Sequence, residues 1–155
     1  MTNASNAILI DTNILIYIHD PRDRYKREQA LYALNSLIER NQAVLGAQCL
    51  TEFFNAATRR LPEPLDREEA LVQVQRFAAS CRVLDLTPAV VLEGCRGSIE
   101  HGLSFWDALI WAVAKLNQVE FILTEDAEHG RLLEGVRYLN PFVPSFDPAT
   151  LGPNP

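Results

Sequence analysis

The chain has 155 residues, enough for one domain with a single core of ordinary size. With 48% hydrophobic and 22% charged residues and no apolar run near the ~18 residues of a spanning helix, it disfavours disordered, collagen-like and membrane classes. A net charge of −6 argues against a protein that grips nucleic acid through a broad basic surface, with one exception: carboxylates that hold divalent cations reverse the local sign.

Taken in chain order, residues 7–11 read as a first strand and "TNILIYIHD" as a short apolar helix leading out of it. "PRDRYKREQALYALNSLIERNQ" carries Ala30, Leu31, Leu34, Leu37 and Ile38 at helical spacing, so it predicts an amphipathic helix. "AVLGA" reads as a second short strand and "CLTEFFNAATRRL" as a helix, closed by the two prolines of "LPEPL". Asp66 and Glu69 have capping-box spacing at the head of "DREEALVQVQRFAAS", and "CRVLDL" follows as a third strand. Thr87 as N-cap and Pro88 at the first helical position open the next helix. "SFWDALIWAVAKLNQ" is apolar nearly all round and therefore buried on most sides, which places Trp106 in the core. "VEFIL" is a fourth strand, "AEHGRLLEG" a turn of helix and "VRYLNPF" a fifth strand. Five of the nine prolines fall at or after Pro141, which predicts an extended or loosely held end rather than a helix. Strands alternating with helices specify an α/β fold with a parallel, helix-covered sheet.

Cys49, Cys81 and Cys95 are isolated and odd in number, so they read as reduced cysteines rather than a disulfide frame or a zinc site. The opening "MTNASNAILIDTN" lacks the basic start and cleavage site of a signal peptide, which points to the cytoplasm.

The chemistry should lie at the carboxyl ends of the strands, where ligand sites collect in open parallel sheets. Two strands run straight into acid there: "AILIDTN" into Asp11, Thr12 and Asn13, and "FILTEDAEHG" into Thr124, Glu125 and Asp126. Two further acids sit among aromatic and aliphatic residues, Glu52 in "CLTEFFNAA" and Asp107 in "LSFWDALIWA". Each has a plain alternative. Asp11 or Thr12 can cap the following helix, Ser104 can cap a helix whose third residue is Asp107, and Thr51 can make Glu52 a first-turn acid. Against capping alone, an ionised side chain in so apolar a segment needs solvent or a counter-charge.

The order Asp, Glu, Asp, Asp, carried as "LIDTN", "TEFFN", "LSFWDALIWAVA" and "ILTEDAEHG", resembles the PIN domain, and within it the VapC-type toxins of bacterial toxin–antitoxin pairs. The resemblance covers about Ile8 to Phe142. It implies a single domain over residues 1–142, with a central parallel sheet of about five strands flanked by helices on both faces, and a Pro-rich tail over 143–155. It also implies a metal-dependent endoribonuclease whose acidic quartet is Asp11, Glu52, Asp107 and Asp126, with Asn13 and Thr124 as supporting polar neighbours. Asp11, Asp107 and Asp126 match metal ligands, and Glu52 a second-site ligand or water-orienting base. Many relatives place another residue where Glu125 stands, so Glu125 competes with Asp126 for the last position. Carboxylate oxygens suit Mg²⁺ or Mn²⁺, which activate water and stabilise charge in phosphodiester cleavage. An RNA substrate, a cognate antitoxin protein and a homodimer are the implied partners.

Arg22, Arg24, Lys26 and Arg27, with Arg59 and Arg60, are the candidate RNA-binding cations; the alternative is a solvated helix face. Tyr25 and Trp106 are able to stack on bases in single-stranded RNA. Two other strand-end acid chemistries fit poorly. No lysine ends a late strand as a phosphoacceptor domain needs, and Asn13 stands where a haloacid-dehalogenase phosphatase has its second aspartate. The remaining alternative is a PIN-like module that binds RNA or a partner without cutting.

Overall fold

In the computed structural model, which describes residues 6–151, the first apolar run forms β1 (Ile8–Ile10), with all three side chains fully buried. β2 (Ala43–Gly46) and β4 (Phe121–Leu123) pair with it on either side, both parallel. β3 (Arg82–Leu84) extends the sheet beyond β2, and β6 (Val136–Leu139) extends it beyond β4. With the short β5 (Leu132–Leu133) at the edge, the strand order is β3-β2-β1-β4-β6-β5. Strand order therefore reverses between β1 and β4, the topological switch point at which crevices open in such sheets.

Side chains alternate across the sheet, so each face acquires its own core. Ile8, Ile10, Leu45 and Leu123 face one way, toward α1 (Thr12–Tyr17), α2 (Arg24–Glu39), α3 (Ala47–Ala57) and α4 (Arg67–Ser80). Leu9, Val44 and Ile122 face the other, toward α5 (Pro88–His101) and α6 (Phe105–Leu116). The last two helices lie very close. A Cβ on Gly97 would stand 2.5 Å from the Trp111 ring, so only glycine allows this approach.

Three expectations need correction. The sheet of about five strands is present, with six among the described residues: Leu132–Leu133 form β5, antiparallel to β6, where a turn of helix was expected. Glu134 (φ 47°) and Gly135 (φ 86°) both take the left-handed conformation, which is the requirement of a tight two-residue hairpin. Residues 141–151 are packed rather than loosely held, and the expectation for residues 152–155 lies outside the described residues. Phe146 is buried in the first core, Arg40 Nη1 donates to the Pro148 carbonyl at 2.9 Å, and Pro148–Leu151 form a 3₁₀ turn. Apolar residues between the prolines supply the anchor that proline composition conceals. Trp106, expected in the core, is 60% exposed, because it lies in the first turn of α6, before that helix enters the protein. The cysteines are free, as read, with Cys49 and Cys81 buried. Among the described residues, no helix is long and apolar enough to cross a membrane.

Candidate metal centre at the switch point

The register of the sheet builds the centre. Ile10 lies opposite Leu123, so the residues that follow, Asp11 and Thr124, leave the sheet side by side, with the Asp11 amide donating to the Leu123 carbonyl at 2.9 Å. Thr124 Oγ1 then donates to one Asp11 carboxylate oxygen at 2.7 Å, and the Thr12 amide donates to the other at 2.6 Å. Asp11 does cap α1, as the plainer reading of the sequence held. It is also almost wholly buried, and no cation pairs with it among the described residues. Burial pushes its carboxyl up to about 7, with Asp126 and Asp107 adding to the rise and the bonds from Thr124 and Thr12 opposing it.

Asp107 reaches the same point from α6. Ser104 is the cap there, its hydroxyl accepting from the Asp107 amide at 3.2 Å. At Asp66 and Glu69 the acid returns a bond to the cap's amide and completes a capping box. No such return bond is found for Asp107 among the described residues, and its carboxylate faces Asp11 and Asp126 instead. Asp11, Asp107 and Asp126 each place an oxygen within 4.8 Å of the others. Asp126 is anchored by Asn13, whose side-chain amide donates to it at 3.0 Å, and by its own amide donating to Thr124 Oγ1 at 3.1 Å. Its carboxyl is also raised, by burial first and then by Asp107 and Glu125.

Glu125 turns away from this group. It pairs with Lys26 at 2.8 Å and accepts from the Tyr17 hydroxyl, so of the two adjacent acids only Asp126 joins the other aspartates. Glu52 stands beside the trio rather than within it. Because Gly46 is the N-cap of α3, Glu52 lies in the second turn and is not a first-turn acid capped by Thr51. Thr12 Oγ1 donates to one of its oxygens at 2.6 Å and Gln48 Nε2 to the other at 2.7 Å. From the sequence Thr12 was read only as a candidate helix cap, and Gln48 was not singled out. Thr12 carries a partial signal as the middle of "DTN"; Gln48 shows its role only once α3 turns it toward Glu52.

Of the six candidate cations, Arg22 and Arg60 line a cleft of ≈ 750 Å³ that runs past Asp11, Glu52 and Asp107, with Trp106 also on its wall. Arg22 is held by a 2.7 Å pair with the buried Asp20. Arg24 pairs with Glu28 and Lys26 with Glu125, and neither they nor Arg27 and Arg59 line the cleft. A second, smaller pocket of ≈ 40 Å³ is lined by the same three aspartates together with Arg131 and Tyr138.

The donor set fits a hard divalent cation. The oxygens converge, no ion pair neutralises them among the described residues, and the nearby Cys49 thiol is pushed up to about 12 by burial, which removes a thiolate ligand from consideration. Elsewhere Glu100, His101 and Glu134 also lie within 4.8 Å of one another, but Arg96 and Lys115 already neutralise that group.

Comparison with known proteins agrees with this architecture. The chain superimposes with a TM-score of 0.64 on the structure of a toxin–antitoxin complex from Klebsiella pneumoniae, at 19% identity over 87% of this chain and 98% of that one. The sarcin-ricin loop cleaving toxin VapC20 of Mycobacterium tuberculosis gives a TM-score of 0.64 at 20% identity, over 84% of this chain and 99% of that one. DNA-bound VapBC from Salmonella typhimurium gives 0.61 at 20%, over 87% and 98%. At such identities the likeness is one of fold. Comparison with curated protein sequences found no significant match. The sequence profile of the PIN domain matches residues 8–133, most of the chain, and the protein belongs to the PIN domain family.

Proposed function

We propose that the protein is a metal-dependent endoribonuclease that uses Mg²⁺ or Mn²⁺, and that it is the toxin of a type II toxin–antitoxin pair acting in the cytoplasm. The observation that carries the nuclease reading is the convergence of Asp11, Asp107 and Asp126 at the floor of a cleft walled by Arg22, Arg60 and Trp106. These three aspartates would hold the metal, which would activate a water and neutralise charge developing on the phosphate.

The remaining residues do definable work. Thr124 and the Thr12 amide fix both oxygens of Asp11, and Asn13 fixes Asp126, so the ligands are oriented before any metal arrives. Glu52 is held by Thr12 and Gln48 at the edge of the cleft, where it orients the attacking water or takes its proton. Arg22 and Arg60 attract the RNA backbone toward an otherwise acidic protein, and exposed Trp106 offers a face on which a base can stack. The protein's structural relatives include a toxin–antitoxin complex and a VapBC complex, which supports an antitoxin partner whose basic side chain covers the acids. A homodimer of this chain belongs to the same reading.

The test is to incubate purified protein with total RNA in Mn²⁺ and in EDTA. Metal-dependent fragments with defined ends are the expected result; binding without fragments would mark a non-cleaving module instead. Expression alone and co-purification from the native host test the toxin role, and growth arrest together with recovery of a small companion protein is expected.

A further inference from the structure

We infer that the small pocket beside the aspartates is a ribose subsite, in which the Tyr138 hydroxyl reads the 2′-hydroxyl of an RNA nucleotide; this rests on the nuclease reading above. Tyr138 is brought there by the sheet, since β6 pairs with β4 so that Tyr138 lies opposite Ile122. The residue is only 5% exposed, and its hydroxyl has no hydrogen-bond partner among the described residues. A buried hydroxyl left unpaired carries its full desolvation cost, and phenylalanine in its place would remove that cost. Its position on the wall of a pocket shared with Asp107 and Asp126 points to a ligand as the missing partner.

Size and chemistry narrow that ligand. The pocket's ≈ 40 Å³ exceeds the ~10–15 Å³ a single water needs and falls far below the ~300–1,000 Å³ of a site enclosing a whole drug-sized molecule. It therefore takes the edge of a nucleotide. Leu103, Ile110 and Ile122 give it apolar walls suited to the C–H face of a sugar, and Arg131, also on its wall, offers a cation to that sugar's phosphate. A phenol donates one hydrogen bond, a carboxylate only accepts, and a 2′-hydroxyl does both, so it bridges Tyr138 to an aspartate oxygen. Burial pushes the Tyr138 phenol up to about 12, which keeps the donor proton in place at neutral pH. A deoxyribose leaves both protein groups unpaired, and that penalty distinguishes RNA from DNA.

The experiment titrates a mixed-sequence single-stranded RNA oligonucleotide and its DNA counterpart against wild type and Tyr138→Phe by fluorescence anisotropy, in EDTA and in Ca²⁺, and follows cleavage separately in Mn²⁺. Wild type should bind RNA about tenfold more tightly than DNA, the worth of one good hydrogen bond, and Tyr138→Phe should bind both about as wild type binds DNA. The variant should melt in EDTA at or above the wild-type temperature. Arg131→Gln should weaken both oligonucleotides equally, as loss of a phosphate contact does. A wild type without RNA preference, a Tyr138→Phe protein that retains it, or a Tyr138→Phe protein that melts lower would each overturn the subsite. Metal-dependent cleavage alongside any of those results would leave the nuclease standing, whereas failure to cleave any RNA removes the nuclease reading and the subsite with it.

Discussion

Two regions of this molecule each bring three potential metal ligands within 4.8 Å of one another, and they are electrostatic opposites. In the cluster that joins α5 and α6 to the β5–β6 hairpin, Glu134 accepts from Arg96, Lys115 and His101, and Glu93 accepts from Arg96 and Lys115. Those partners hold both carboxyls down at about 2, His101 acting most strongly on Glu134 and Arg96 on Glu93. At the switch point no ion pair is made to the aspartates among the described residues, and burial drives Asp11 the other way, up to about 7. The number of acids therefore distinguishes nothing. What separates a structural ion-pair network from a candidate metal centre is whether the protein supplies the counter-charge itself.

The largest contrast should appear in catalysis. Asp11→Asn or Asp107→Asn should reduce RNA cleavage at least ~1,000-fold, about 4 kcal/mol of barrier, while Glu134→Gln leaves it within a factor of about two. Gel-based cleavage rates in Mn²⁺ check this, and equal losses in both regions would erase the distinction. The next contrast is in stability. At a hundredfold excess over its dissociation constant, one bound Mn²⁺ adds about 2.7 kcal/mol, or roughly 5 to 11 °C in melting temperature for a chain of this size. Wild type and Glu134→Gln should gain that rise; Asp107→Asn should gain much less, and should melt above wild type in EDTA.

A third contrast concerns the direction of pH dependence in EDTA. Asp11 and Asp126 both titrate above their unfolded values, so the folded state binds more protons; the stability Asp11 contributes is full below about pH 4 and is lost as pH rises through about 7, and Asp126 acts in the same direction. Glu93 and Glu134 titrate below theirs; their contribution is present above about pH 4.5 and is lost as pH falls toward 2. Asp11→Asn should flatten the first limb and Glu134→Gln the second, as melting temperatures across this range will report. The smallest effect is expected at Glu125→Gln. It loosens the partly exposed pair with Lys26, worth about 0.2 to 1 kcal/mol, and should slow cleavage no more than about fivefold by letting the loop that carries Asp126 wander.

What was legible in the sequence follows from how local each signal is. An apolar run ending in Asp11 or in Thr124 and Asp126 marks a strand end without reference to the rest of the chain. Ser104, Thr87 and Asp66 announce their helices in the same way, and all three are N-caps. Signals that depend on partners were hidden. Tyr138 and Arg131 acquire meaning only when β6 pairs with β4, and the choice between Asp126 and Glu125 turns on where Lys26 and Tyr17 stand. Trp106 was misplaced because the apolarity of α6 was averaged along its length, whereas its first turn lies outside the core. The β5–β6 hairpin escaped notice because Glu134 is an uncommon residue at a left-handed turn position.

The pairing of β1 with β4 also fixes when the site can exist. Thr124 and Asp11, which share a hydrogen bond, are 113 positions apart in the chain. At ~5–20 residues per second of synthesis, about 6 to 23 seconds separate the appearance of one from the other. Throughout that interval Asp11 belongs to a nascent chain that lacks its neighbouring strand and the acid at its far end. The centre is thus a late product of translation, and a truncated chain that stops before β4 carries three of the four acids with no frame to bring them together.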